Sequence, residues 1–136
     1  MDDSALRERY RSVLERLGEA IARAGRRPEE VRLIAVSKLH PAGDVACVAA
    51  AGQVDFGENY VQEALQKRQD LVAQPQCRDI RWHMIGHVQS RKAAQVAGAF
   101  ALVHTLDSVK LADALEKRAA ALDVVQPCLL YTSDAA

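Results

Sequence analysis

The stretch Val31-Arg32-Leu33-Ile34-Ala35-Val36-Ser37-Lys38 decides how this chain is read. Apart from Arg32 it is apolar as far as Ser37, it holds β-branched residues, and Pro41 and Gly43 follow it. A short apolar run bounded in this way predicts a strand over 31–37, buried on both faces as strands of parallel sheets are. Lys38 then stands at the C-terminal end of that strand. Desolvation at such a place disfavours an ammonium and makes a neutral, nucleophilic amine available. The plainer alternative is a lysine whose stem lies along the strand end while its amine reaches solvent.

Working outward, the same unit repeats. Before the strand, Leu6, Tyr10, Val13, Leu14, Leu17 and Ile21 recur at steps of three and four, which predicts an amphipathic helix over 4–24 that stops at Gly25. After the strand a helix is expected from Pro41 to Gly52, then a strand over 54–56 and a helix over 59–72. A third strand is expected over 80–85 with its helix at 88–98. A fourth is expected over 101–105, with a helix over 108–122 that Ser108 caps, and a fifth begins at Val124. Strand starts recur every two dozen residues or so, the spacing of βαβ units in a parallel sheet. The fold class is therefore α/β. The period alone fits a doubly wound sheet or a (β/α)₈ barrel, and the fingerprint G-x-G-x-x-G is absent. A barrel needs about eight units in roughly 200 residues or more, so five strand starts make a little over half of one.

The expected organisation is thus an N-terminal helix followed by about the first half of a barrel, with residues 1–127 as the N-terminal portion of a single domain. From Cys128 to Ala136 the pattern is lost. Residues 128–136 read as a non-native tail, a translated library adapter, with the native gene interrupted in mid-barrel; a disordered natural terminus is the alternative. On this reading the first and fifth strands keep open edges, and the chain by itself is expected to bind its ligand poorly.

Composition narrows the function. The 136 residues carry 18 Lys plus Arg against 18 Asp plus Glu, a balance that argues against wholesale nucleic-acid or anionic-membrane binding. Aromatics are only 4%, too few for a stacking platform for single strands. The three cysteines, Cys47, Cys77 and Cys128, form no C-x-x-C pair and fit a reducing compartment. The acidic start Met1-Asp2-Asp3 does not resemble a secretory signal, and no stretch is long and apolar enough for a membrane span. The expectation is a soluble cytoplasmic protein.

In a parallel α/β sheet, ligands bind beyond the C-terminal strand ends. The residues expected there are Ser37 and Lys38, then Gly57-Glu58-Asn59-Tyr60, then His83 with Gly86-His87 and Gln89-Ser90-Arg91-Lys92, then His104, Thr105 and Asp107. A lysine amine at such a rim condenses with aldehydes, and pyridoxal 5'-phosphate (PLP) is the common biological aldehyde. Each group also has a structural reading. Phe56-Gly57-Glu58-Asn59 reads equally as a tight turn with Gly57 at positive φ and Asn59 capping the next helix. His83 and His87 straddle a strand end, so they are not a zinc pair. Arg91 and Lys92 read as a solvated helix start or a weak anion site, and Cys47 as a small core residue.

Taken together, Ala35-Val36-Ser37-Lys38 with Pro41, Phe56-Gly57-Glu58-Asn59-Tyr60-Val61-Gln62-Glu63, Trp82-His83-Met84-Ile85-Gly86 with Gln89-Ser90 and Lys92, and His104-Thr105-Leu106-Asp107-Ser108 resemble the pyridoxal phosphate homeostasis proteins from about residue 6 to 126. The resemblance implies a barrel like that of alanine racemase without its second domain. It implies PLP held as an aldimine on Lys38, with Asn59 matching the family's loop asparagine near the cofactor. It implies a role in holding and distributing PLP, with no catalytic residue, no metal, no established turnover and a monomeric parent. Two departures stand out. The family's phosphate-binding loops come from later strands, and His87 stands where a less basic residue is expected. The competing readings are a PLP-dependent racemase or decarboxylase, and an interaction module with an accidental lysine. Racemization needs a second acid/base on the far face of the cofactor. Tyr10, on the packing face of the first helix, and Tyr60, at a helix start, offer no obvious one.

Overall fold

The computed structural model describes residues 2–131. Five strands alternate with helices: α1 (Asp3–Arg23), β1 (Ala35–Val36), α2 (Ala42–Ala50), β2 (Asp55–Glu58), α3 (Val61–Leu71), β3 (Arg81–Met84), α4 (Ala93–Val96), β4 (Leu102–Leu106), α5 (Val109–Leu122) and β5 (Cys128–Leu130). All neighbours pair in parallel, in the order β1-β2-β3-β4-β5. A doubly wound sheet reverses its order at a switch point, whereas each strand here lies beside the next, as in a barrel wall. The period of the sequence left these two open, and the strand order settles it.

The register separates the two faces of the sheet. Phe56 pairs with Trp82, and Met84 with Val103, so these four share a face. All four are buried, in one cluster with Val45 and Val48 of α2, Ala64 and Leu71 of α3, Val96 of α4, and Leu111 and Leu115 of α5. Each such large side chain contributes about 1.5–3 kcal/mol on burial. Asp55, Gly57, His83, Leu102 and His104 occupy the opposite, concave face. That face corresponds to the inside of a barrel.

Several elements differ from the sequence expectation. The first strand is two residues long instead of 31–37. Ala35 pairs with Phe56, so Leu33 and everything before it runs past the first residue of β2 and has no ladder partner. It is also not buried on both faces, because β1 is an edge strand and Val36 is 52% exposed. The second strand extends to Glu58. Gly57 therefore lies within a strand, not in a turn at positive φ. The helix expected at 88–98 is a 3₁₀ turn at Ser90–Lys92 followed by one turn of α-helix.

The fifth strand begins at Cys128, not at Val124. The Val124 amide donates to the Ala119 carbonyl, so the chain is still closing α5 there, after a left-handed turn at Asp123. The Gln126 side chain then bonds Gly98 and Phe100, and pairing with β4 follows. Of the tail expected at 128–136, Cys128–Leu130 thus form a strand, and residues 132–136 lie outside the described residues. Other expectations match closely. Ser108 caps α5 through Leu111, Gly25 ends the first helical segment at φ 67°, and Cys47 is buried. No helix among the described residues is long and apolar enough to cross a membrane.

Candidate functional site

The register brings four residues to one level of the concave face. Val36, Gly57, His83 and Leu102 are aligned across β1–β4. Hydrogen bonds from Ser37 N to Gly57 O (3.0 Å) and from Ile85 N to Glu58 O (2.9 Å) carry the alignment further. Beyond this level the chain leaves the strands: Lys38 lies in the turn after β1, Asn59 in the bend after β2 and Ile85 directly after β3, all at the C-terminal end of the sheet, where β4 carries His104. The two residues singled out from sequence, Lys38 and Asn59, thus follow adjacent strands at the same end of the sheet.

Their surroundings differ from expectation. Lys38 sits in a turn after β1 and is exposed, not held in a desolvated strand end. The reason is again that β1 is an edge with an open inner face. Asn59 does not cap α3, whose N-cap is Tyr60. Its Oδ1 is buried and has no hydrogen-bond partner among the described residues. Gly86 explains how closely this loop rests on β3, since a Cβ there would fall 2.2 Å from the Asn59 carbonyl oxygen. Gly57 leaves a narrow space on the concave face, where a Cβ would meet Ile85 and Ile34 at 3.0 and 3.1 Å.

Behind the rim lies a cluster that sequence reasoning missed. Ser37 Oγ donates to Glu58 Oε1 at 2.7 Å. Lys67 Nζ donates to Ser37 O at 2.5 Å, Glu58 Oε1 at 2.6 Å and Glu63 Oε1 at 2.9 Å. Leu39 N donates to the same Glu63 oxygen at 2.5 Å. Glu58 is 0% exposed and Lys67 5%. Burial pushes the Glu58 carboxyl above its usual range, against the pull of Lys67 and Ser37. Burial acts on Glu63 in the same sense, but the Leu39 amide and Lys67 outweigh it and hold that carboxyl low. The signal was present in sequence as Glu63 and Lys67, four apart on a helix, but that spacing usually marks a solvated face.

A second polar chain crosses the concave face. Arg81 grips Asp55 through Nε and Nη2 at 3.0 and 3.1 Å. Arg32 Nε lies 3.7 Å from the same carboxylate. His83 Nε2 bonds Asp55 at 2.8 Å, and its Nδ1 meets His104 Nε2 at 2.9 Å. His83, expected at the rim, is thus buried within β3 and reaches it only through His104. Burial would raise Asp55, yet the bonds from Arg81 and His83 hold it below the usual carboxylate value. His104 is pushed down, first by burial and then by the neighbouring His83.

The sign of the resulting pH dependence follows. A histidine depressed in the native state binds fewer protons there than in the unfolded chain. Its contribution is complete above the ordinary value of 6.5 and is lost as pH falls below it. Asp55 acts in a separate window, present above 3.8 and lost below. Urea melts are expected to show stability declining from pH 7.5 to 5.5, by less than the about 1.4 kcal/mol per pH unit of one full proton. The decline should flatten in His104→Gln; an unchanged slope in that variant would assign it elsewhere.

The remaining rim residues form a shallow cleft of about 340 Å³ lined by Asn59, Tyr60, Gln62, His87, Arg91 and Lys92 among others. His87, the unexplained departure, lies 3.4 Å from Asp107. Arg91 Nε donates to Gln89.

Comparison with known proteins places the family and the fold. The family described as "Alanine racemase, N-terminal domain" matches residues 4–132. The pyridoxal phosphate homeostasis protein of Pseudomonas aeruginosa is 44% identical over 127 residues, covering 93% of this chain and 54% of that protein. The Homo sapiens protein of the same name is 45% identical over 111 residues, covering 76% and 39%. The structure of PipY from Synechococcus elongatus with PLP bound superposes with a TM-score of 0.74 at 37% identity, covering 90% of this chain and 52% of that one. The chain therefore spans about half the length of the relatives it matches. The five parallel strands and their helices correspond to the first half of the PipY barrel. The chain belongs to the alanine racemase N-terminal domain family and, within it, to the pyridoxal phosphate homeostasis proteins.

Proposed function

We propose that the full-length parent holds PLP on the Lys38 amine and keeps it available to other proteins without turning over amino acids. The observation that carries this is the rim layer itself. An accessible lysine follows β1 at the C-terminal end of the sheet, and Asn59, whose buried Oδ1 has no partner among the described residues, follows the adjacent β2. An unpaired buried acceptor is costly, and a ligand donor reaching it would relieve the cost. Gly86 lets the Asn59 loop rest directly on the end of β3, and Gly57 makes room for Ile34 and Ile85. PLP supplies an aldehyde when bound. Lys38 would be the residue that holds it, as a primary amine able to condense with an aldehyde with loss of water.

Asn59 is read as the residue that orients the cofactor, and His104 as the imidazole nearest in the layer. Residues 1–127 are read as the N-terminal portion of one barrel domain whose later loops hold the phosphate, as barrels commonly do after strands seven and eight. The three free cysteines support a cytoplasmic setting. Turnover would require an acid/base across the cofactor from Lys38. The Tyr10 hydroxyl donates to Gln53 Oε1 at 2.8 Å, which gives that group a structural role. Tyr60 is 53% exposed beside Asn59.

The test presents the PLP-loaded parent with single L- and D-amino acids and follows enantiomer ratio and CO₂ release. The expected result is a lysine-bound chromophore with no steady turnover. Sustained racemization or decarboxylation of any one amino acid, lost in Lys38→Ala, would instead make this a PLP enzyme.

A further inference from the structure

We infer that the pair formed by the buried Lys67 and the half-buried Glu63 is a positioning device for Lys38, fixing the direction of its side chain from both sides. The inference rests on the reading of Lys38 as the cofactor's attachment point. The peptide group before Lys38 ends in the Ser37 carbonyl, and Lys67 Nζ donates to it. The peptide group after Lys38 carries the Leu39 amide, and Glu63 Oε1 accepts from it. Glu63 and Lys67 bond each other at 2.9 Å. The two peptide planes that flank the Lys38 Cα are thus tied to one ion pair on one turn of α3. With both planes held, φ and ψ of Lys38 have little freedom, and the Cα–Cβ direction is set.

Two further observations support this. Lys67 spends all three ammonium donors, on Ser37 O, Glu58 Oε1 and Glu63 Oε1, so it is a fully satisfied three-way tie. Leu39 has φ 63°, a left-handed conformation that a leucine keeps only when its surroundings hold it. The bond from its amide to Glu63 and the turn bond from His40 N to Ser37 O (3.1 Å) hold it together. Lys38 belongs to an exposed turn beyond a two-residue edge strand, so the sheet itself offers little rigidity there. A nucleophile on such a turn would otherwise sample many directions, and the ordering cost would weaken binding. The clamp removes that cost in advance.

The test compares two changes at Glu63 in the full-length parent, one isosteric and one shortened. Glu63→Gln keeps an oxygen within reach of the Leu39 amide but removes the charge. Glu63→Asp keeps the charge beside Lys67 but withdraws the oxygen by one methylene. PLP attachment is followed by near-visible absorption and by borohydride trapping mapped to Lys38, and protection of the Leu39 amide by hydrogen exchange. Glu63→Asp is expected to weaken PLP binding on the order of tenfold, the scale of one charge-assisted hydrogen bond. It should also speed Leu39 exchange, while Glu63→Gln stays near the parent in both. The reverse order, with Gln impaired and Asp normal, would make the pair a structural ion pair with no hold on Lys38. Equal behaviour of both with the parent would overturn the inference as well. If PLP is not trapped at Lys38 in the unmodified parent, the attachment reading fails, and the clamp is still judged by Leu39 exchange.

Discussion

Lys38→Ala in the full-length parent is expected to abolish covalent PLP attachment completely. The near-visible band should disappear, and borohydride should fix no cofactor to the 31–40 segment. The size of the effect follows from the chemistry, because the C=N bond has no other nitrogen to form on in that rim layer. The residues at the C-terminal ends of the adjacent strands, Asn59, Ile85 and His104, carry no primary amine. Folding should be untouched. Lys38 is exposed and makes none of the hydrogen bonds of the clamp through its own side chain, so the melting midpoint should move little. Residual non-covalent PLP binding is expected, held by Asn59 and by later phosphate-binding loops. A trapped adduct that persists in Lys38→Ala with an unchanged spectrum would move the attachment point to another lysine, and Lys92 in the neighbouring cleft would be the first to examine.

Lys67→Met should produce the largest loss of stability, about 3–5 kcal/mol, the cost of breaking a buried pair by removing one partner. The methionine fills the volume but leaves Glu58 and Glu63 facing each other without a cation. Glu58 is fully buried, and one of its oxygens, Oε2, already lacks a partner among the described residues. Removing Lys67 also leaves the Ser37 carbonyl with the His40 amide as its one remaining donor among the described residues. The double variant Glu58→Gln/Lys67→Met should recover part of the loss, because a neutral amide still accepts from Ser37 Oγ and carries no unpaired charge. Urea unfolding of the four proteins gives the coupling energy directly. A loss under about 1 kcal/mol in Lys67→Met would place the cluster in the class of solvated surface pairs. That outcome would contradict its burial.

The sequence carried the fold class, the near-regular spacing of the strands, the capping of α5 by Ser108 and the resemblance that singled out Lys38 and Asn59. These follow from local rules. Apolar runs bounded by turn residues define strands, helical periodicity defines the packed face, and a hydroxyl before an apolar stretch defines a cap. Tertiary structure decided the rest, because each remaining feature depends on what lies across the sheet. The run at 31–37 shrank to two paired residues since β2 starts too late to partner the others. Gly57, an apparent turn glycine, lies in a strand because pairing with β3 extends β2. His83 left the rim for Asp55 and His104. The fifth strand started four residues late because α5 needed Val124 to close its last turn. Lys67 shows the same reason most plainly. Its sequence neighbourhood, Gln66 and Arg68 on a charged helix, describes a solvated lysine. Only the packing of α3 against the ends of β1 and β2 brings the Ser37 carbonyl and two glutamates around it. A local pattern records which way a residue faces along its own element, whereas the partner across the gap is set by register and packing between elements distant in the chain.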